Sequence, residues 1–248
     1  MKTLKQTGFT LVEIAIVLVV IGLLLGGILK GQQLINSARV RNLADQNSGV
    51  QAAYYGFIDR FRNLPGDMTC AAAKAAVGAA VDADCSATPI GGNADGRIDT
   101  VVESAAVWSH LSVAGFLTGT YSGAATDGTT YKNGVATGAI PPNAFQGAIL
   151  LGHFSDYIEN NAEGTIIRLG YSFGGNIPVP LLRDLDQKLD DGVAGTGVLR
   201  AAFGQATPAG TLGVIVEATG TDCTINTGNP YVWNVDSSNQ TCNAVFLY

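Results

Sequence analysis

The sequence predicts an α+β fold, one long N-terminal helix combined with an antiparallel β-sheet head, from three observations. An apolar run from Phe9 to Leu29 continues beyond Lys30 into a stripe at helical spacing. Short β-branched or apolar segments bounded by Gly, Asn or Pro fill the second half of the chain. Finally, 47% hydrophobic against 14% charged residues is too apolar for a disordered chain and calls for a folded core. The 32 glycines follow no three-residue period, which excludes collagen and fits a loop-rich head. No repeat of solenoid length is visible.

The run from Phe9 to Leu29 would be about 31 Å long as a helix, matching a hydrocarbon core of about 30 Å. Lys2 and Lys5 precede it without an acid, so the positive-inside bias keeps the first eight residues cytoplasmic and sends everything after Lys30 outward. The run holds one acid, Glu13. A secretory signal is a poor match, because the apolar run is too long and "GGILKG" is a poor cleavage site. An uncleaved anchor fits the length but leaves Glu13 unexplained, and a carboxylate in a bilayer costs a few kcal/mol. Cleavage between Gly8 and Phe9 would supply the reason. It creates an α-amino group that Glu13 of a neighbouring chain neutralises, replacing two unpaired charges and selecting one stagger between helices.

Beyond Lys30, Ile35, Leu43, Val50, Tyr54, Phe57 and Phe61 form one buried stripe of a helix that "NLPGD" (63–67) ends, since Pro65 biases Leu64 away from the helical region. The whole helix, from Phe9 to about Arg62, would be about 80 Å long. Gly22, Gly26, Gly27 and Gly31 each cost about 1 kcal/mol of helix relative to Ala. Two readings account for them: Gly22 and Gly26 as close helix contacts, or the glycines as sites of local melting.

In the head, Thr100 and Glu103 have capping-box spacing and open a helix with Val101, Trp108 and Leu111 on one face, ending near Gly115. "PVPLLRDLDQKLDDG" predicts a second helix, with Pro180 in its first turn, Leu181, Leu182, Leu185 and Leu189 on one side, and Gly192 as the stop. "FQGAILLG", "GTIIRLGYSF", "GVLRAAF", "TLGVIVEA", "YVWNV" and "NAVFLY" read as strands of the sheet.

Cys70 and Cys85 form one sequence-local pair, Cys223 and Cys242 another, and in an oxidising compartment each would close a local loop. No CxxC is present, and the two histidines, His110 and His153, stand far apart, which argues against zinc. Both histidines read as structural. Tyr54 and Tyr55 read as core packing. "GGNADGRIDTVVE" places Asn93, Asp95 and Asp99 at the third, fifth and ninth positions of a calcium loop, but Gly91 and Val102 stand at its first and twelfth. The segment is therefore read first as a polar turn capping the next helix, and second as a calcium site; no other cofactor is expected. "DLDQKLDDG" (184–192) reads as a solvated helix end, with a cation or a neighbour's basic residue as the alternative partner for Asp190 and Asp191.

Charge is divided unevenly. Residues 1–62 carry seven Lys or Arg against three acids, although the whole chain is −6, so the head is strongly acidic. That argues against nucleic acid as a partner of the head. There is also no GxSxG, P-loop, HExxH or Rossmann fingerprint, and no enzyme is predicted.

"KQTGFTLVEIAIVLVVIGLL" resembles the class III leader and start of type IV pilins and type II secretion pseudopilins: a short basic leader, Gly8, Phe9, an acid at Glu13 and an unbroken apolar run. "RNLPGDM", "NADGRID", "WSHLSVAGFL" and "LDQKLDDGVAGTG" resemble a subgroup of prepilin-type proteins. Many pilins have a helix-breaking proline near the membrane, whereas this chain has none before Pro65. The resemblance implies a pilin-like fold and a prepilin peptidase that cuts after Gly8 and methylates Phe9. It implies four parts: a leader (1–8), a transmembrane and filament-core helix (9–29), an amphipathic half-helix (30–63) and an extracytoplasmic head (64–248). Its partners would be the membrane before assembly, an inner-membrane assembly platform, other pilins and copies of itself in a helical polymer at the cell surface. It also raises the calcium reading, since pseudopilins include calcium binders. The alternatives are a pseudopilin of a short periplasmic piston and, from another class, an anchored periplasmic binding protein or enzyme.

Overall fold

The computed structural model describes residues 11–82, 85, 90–202, 223–225, 228–240 and 242–248. The segment "TLGVIVEA", expected as a strand, lies outside them, as do Gly8 and Phe9. The chain forms two compact units, Met1–Arg39 and Val40–Tyr248.

In the first unit the described residues belong to helix α1 (Leu11–Phe61). It is continuous through all four glycines, none of which has a positive φ. Its apolar side chains are exposed, from Leu11 at 91% to Leu29 at 62%. Ile35, placed in the buried stripe by its spacing, is exposed as well.

In the second unit the remainder of α1 buries Val40, Leu43, Asn47, Val50, Ala53, Tyr54 and Phe57. These positions recur at steps of three and four, which puts them on one helical face. Tyr55 falls outside that face and is half exposed, so the core reading holds for Tyr54 and not for its neighbour. The chain then turns through Arg62 and Gly66, both at positive φ. At Gly66 a Cβ would sit 2.4 Å from the Glu103 carbonyl oxygen, so only glycine fits there.

Among the described residues four further helices follow: α2 (Cys70–Ala76), α3 (Val101–Val113), α4 (Gly128–Thr137) and α5 (Val179–Leu189). The sequence predicts α3 and α5 and misses the short α2 and α4. Capping explains their presence. Thr69 accepts the Ala72 N–H at the start of α2, and Asp127 accepts the Thr129 and Thr130 N–H groups at the start of α4, which Gly138 ends in a left-handed conformation. The predicted capping box of α3 is present, with the Thr100 side chain on the Glu103 N–H and the Glu103 side chain on the Thr100 N–H. α3 is buried on nearly every side, including Glu103, Ser104, Ser109 and His110, and so is a central helix more than an amphipathic one.

The main sheet is antiparallel in the order β1 (Leu150–Phe154), β4 (Arg168–Ser172), β8 (Ala244–Leu247), β5 (Leu199–Ala201). Among the described residues two small ribbons pair β2 (Ile158–Glu159) with β3 (Ala162–Glu163) and β6 (Thr224–Ile225) with β7 (Val232–Trp233). The C-terminal strand β8 thus occupies an interior position, pairing Tyr171 with Phe246 on one side and Arg200 with Val245 on the other. α3 packs on β1, and a buried polar network ties them to α4: the Tyr131 hydroxyl accepts the Trp108 indole N–H at 2.9 Å and donates to the Ile149 carbonyl at 2.9 Å. Disulfides join Cys70 to Cys85 and Cys223 to Cys242, each with Cα atoms 5.8 Å apart.

Candidate functional site

Three places carry the residues that the sequence singles out. The first is the N-terminal half of α1. Glu13 lies in its first turn, exposed, where the helix dipole favours a carboxylate. A Cβ added at Gly22, Gly26, Gly27 or Gly31 would meet nothing within 4 Å. The glycines therefore leave open, shallow surface along a helix that is long and apolar enough to cross a membrane.

The second place is the loop before α3. Asn93 and Asp95 are exposed and engage each other and the loop backbone: Asn93 Oδ1 accepts the Asp95 N–H at 2.9 Å, Asn93 Nδ2 donates to Asp95 Oδ2 at 3.0 Å, and Asp95 Oδ1 accepts the Arg97 N–H at 2.9 Å. Asp99 gives its N–H to Glu103 Oε2 at 2.9 Å. Among the described residues, Asp95 and Asp99 join no group of three acidic, cysteine or histidine ligand atoms near enough to share an ion.

What organises this loop is a pair of buried acids that the sequence does not single out for it. Asp67 accepts the Asp95 and Gly96 N–H groups, at 3.0 and 2.9 Å, one on each oxygen. Glu103 accepts those of Asn93, Asp99 and Thr100. Burial raises the Glu103 pKa, and these N–H groups oppose the rise. Gly92 sits so close that a Cβ would lie 2.7 Å from both the Asp67 backbone and Glu103 Oε1.

Both histidines are fixed by backbone. His110 Nδ1 accepts the Gly66 N–H at 2.9 Å, and burial lowers the imidazole to a pKa of about 4. His153 lies within β1, where the sequence reading places it just after a strand. Its Nδ1 accepts the Ile98 N–H at 2.9 Å while its own N–H donates to the Ile98 carbonyl. Burial and Arg97 lower its pKa. Each imidazole thus has Nδ1 engaged in joining a loop to a core element.

The third place is the C-terminal end of α5. Asp184 and Lys188 are exposed there, as expected for a solvated end, but Asp186 is fully buried and accepts the Trp233 indole N–H at 2.7 Å on Oδ2. The signal was available in the sequence: Leu182, Asp186 and Leu189 fall at i, i+4 and i+7, on the inward face of the helix.

Residues 3–29 match the family model described as the prokaryotic N-terminal methylation motif. No curated protein and no solved structure matches the chain significantly. The match covers the basic leader, Gly8, Phe9, Glu13 and the apolar half of α1. A long apolar N-terminal helix, an antiparallel sheet and several extra helices give the chain a pilin-like α+β architecture. The chain carries, at residues 3–29, the class III leader of type IV pilins and pseudopilins.

Proposed function

We propose that this chain is a non-enzymatic structural subunit of a type IV pilus or pilus-like filament. It is stored in the inner membrane, cleaved between Gly8 and Phe9 by a prepilin peptidase that methylates Phe9, and polymerised through the assembly platform with other pilins. The observation that carries the reading is the methylation motif on the exposed apolar half of α1. Such a helix needs an apolar surrounding, either lipid or like helices. Passing from lipid into a filament core exchanges one apolar medium for another with little hydrophobic gain. Register then depends on close packing and on Glu13 meeting the Phe9 ammonium of an adjacent subunit.

The test is the Glu13→Ala variant together with the N-terminal mass of the native protein. The expected result is a chain lacking eight residues and carrying one added methyl group, with the variant inserted in the membrane but absent from filaments sheared from the cell surface. Normal filaments from the variant, or an intact Met1, would overturn the scheme. Recovery of the wild-type chain from periplasmic polymers and never from the sheared fraction would assign it to a secretion pseudopilus instead.

A further inference from the structure

The side of α1 that turns away from the core carries a pattern of its own. Arg41, Asp45, Ser48, Ala52, Tyr55 and Asp59 recur at steps of four, three, four, three and four, so they share one stripe, and all six are exposed. It lies opposite the buried Leu43, Val50, Tyr54 and Phe57. Charge stands only at its two ends. Arg41 and Asp45 mark the N-terminal end, and Asp59 the C-terminal end, where Arg62 Nη2 lies 3.2 Å from Asp59 Oδ1 on side chains 80% and 82% exposed. So exposed a pair contributes little to the fold and stays open to further partners. The middle is low: the Ser48 hydroxyl folds back to donate to the Ala44 carbonyl at 3.1 Å, Ala52 has only a methyl group, and nothing lies within 4 Å of a Cβ at neighbouring Gly49.

The order of signs along the stripe decides what fits it. From Arg41 to Arg62 it runs positive, negative, then negative, positive. Asp59 follows Arg41 by 18 residues, five helical turns, so the two project in one direction about 27 Å apart. Parallel copies laid side by side without a shift oppose like charges. Shifted by those 18 residues, they set Arg41 of one level with Asp59 of the other, and Asp45 level with Arg62 to within one residue. The four charges then form an alternating ring. An antiparallel pair would also match Arg41 with Asp59, but chains that enter one membrane in the same direction run parallel.

We propose that this stripe is a self-docking surface, on which a second copy of the chain binds in parallel at a stagger of 18 residues, Arg41 against Asp59 and Asp45 against Arg62. The inference rests on the filament reading for the parallel direction and adds to it a surface and a register. The contact is heterologous. Each copy offers the N-terminal end of its stripe to one neighbour and the C-terminal end to the next, so the contact propagates and does not close on itself. Individually weak pairs suit such a surface, because every added copy repeats them.

The experiment, on the full chain in cells, exchanges the charges within each end, which keeps the net charge and the spacing of unlike charges along the helix and alters only what a neighbour meets. Arg41→Asp with Asp45→Arg, or Asp59→Arg with Arg62→Asp, should leave the amount of chain in the membrane unchanged. Each exchange should lower the yield of sheared or periplasmic polymer about threefold to tenfold, since it turns two attractions into repulsions. All four substitutions together should restore at least about half of the wild-type yield, because the ring is whole again with its signs reversed. In a second arm, Arg41→Lys keeps the charge and supplies an amine that a carbodiimide joins to a carboxylate in contact with it, in intact cell envelopes. A ladder of multimers cross-linked between position 41 and Asp59, identified by peptide mass, is expected, and Asp59→Asn should remove it. The proposal is overturned if either exchange polymerises as wild type, or if the fourfold variant does no better than the twofold ones. It is equally overturned if the cross-link is missing or stops at dimers, the mark of the antiparallel pair. An intact Met1 with the ladder present would sink the filament reading and leave the contact standing, whereas a processed chain that polymerises without the cross-link would sink the contact alone.

Discussion

The two halves of α1 differ in how their apolar residues are spaced and meet opposite fates. Between Leu11 and Leu29 the helix displays leucine, isoleucine and valine on all sides and buries none of them, while between Val40 and Phe61 it buries only one face, and buries that face almost completely. A stripe that matches one head needs apolar residues only at steps of three and four. A helix apolar all round has no single partner of that kind and is suited to lipid or to a bundle of like helices. The contrast therefore separates two kinds of stability: the head carries its own core, whereas the first half of α1 takes its stability from whatever apolar phase surrounds it.

Core truncations should break the symmetry between these halves most strongly. Phe57→Ala, in the buried half, should cost the head about 3–5 kcal/mol. Leu24→Ala, in the exposed half, should leave head melting unchanged to within about 0.5 kcal/mol. Chemical denaturation of both variants in the same detergent, followed by tryptophan emission, makes the comparison. A Phe57 variant as stable as wild type would mean that the head does not depend on this face of α1.

The head should also respond to acid in a way the N-terminal half does not. His110 has a folded pKa of about 4 and an unfolded value near 6.5, because burial disfavours the imidazolium. Between those values the unfolded chain binds more protons than the folded one, so this contribution to stability is complete above about pH 6.5 and is lost as pH falls toward 4. Its size is up to about 3 kcal/mol. His110→Gln should flatten the wild-type loss of stability over that window, measured as the difference between the two proteins at each pH. Parallel pH profiles would show that His110 is not the group responsible.

A smaller effect is expected at the loop before α3. Glu103→Gln replaces an acceptor for three backbone N–H groups by a side chain with one acceptor oxygen, and should cost about 1–3 kcal/mol. Asp67→Asn should cost less, because only one of its two N–H partners loses an acceptor. Reversal of that order would place the organising role on Asp67.

Periodicity explains why α1, α3 and α5 were legible in the sequence and why α2 and α4 were not. A long helix writes its apolar spacing over many residues, and Thr100 with Glu103 adds a capping box. "CAAAKAA" and "GTTYKNGVAT" are too short for a period to emerge, and the second also contains Gly and Thr, so these short helices depend on the caps at Thr69 and Asp127. Single acids are harder still. Asp67 and Asp186 are buried where tertiary contacts supply N–H donors from distant parts of the chain, and no local pattern announces a donor such as Trp233, 47 residues away. Glu13 is the opposite case, since an acid inside an apolar run is conspicuous from sequence alone.

The smallest expected effect bears on the exposed half and decides between the two roles its glycines can have. In the single chain nothing lies within 4 Å of a Cβ added at Gly22 or Gly26, so alanine there meets no obstacle and gains up to about 1 kcal/mol of helix propensity. Gly26→Ala should therefore raise helicity slightly, or leave it unchanged, in detergent, as read by circular dichroism. In the filament the outcomes diverge. If neighbouring helices pack against the bare glycine surface, one added methyl group holds their backbones apart, and filament yield should fall while the isolated chain is unharmed. If local melting is what assembly needs, alanine should resist it, and lowering helix propensity again with Gly26→Ser should restore part of the yield, whereas under close packing serine, larger than glycine, should not rescue better than alanine. Wild-type yield from both variants would show that neither role is filled at Gly26 and would leave register to Glu13.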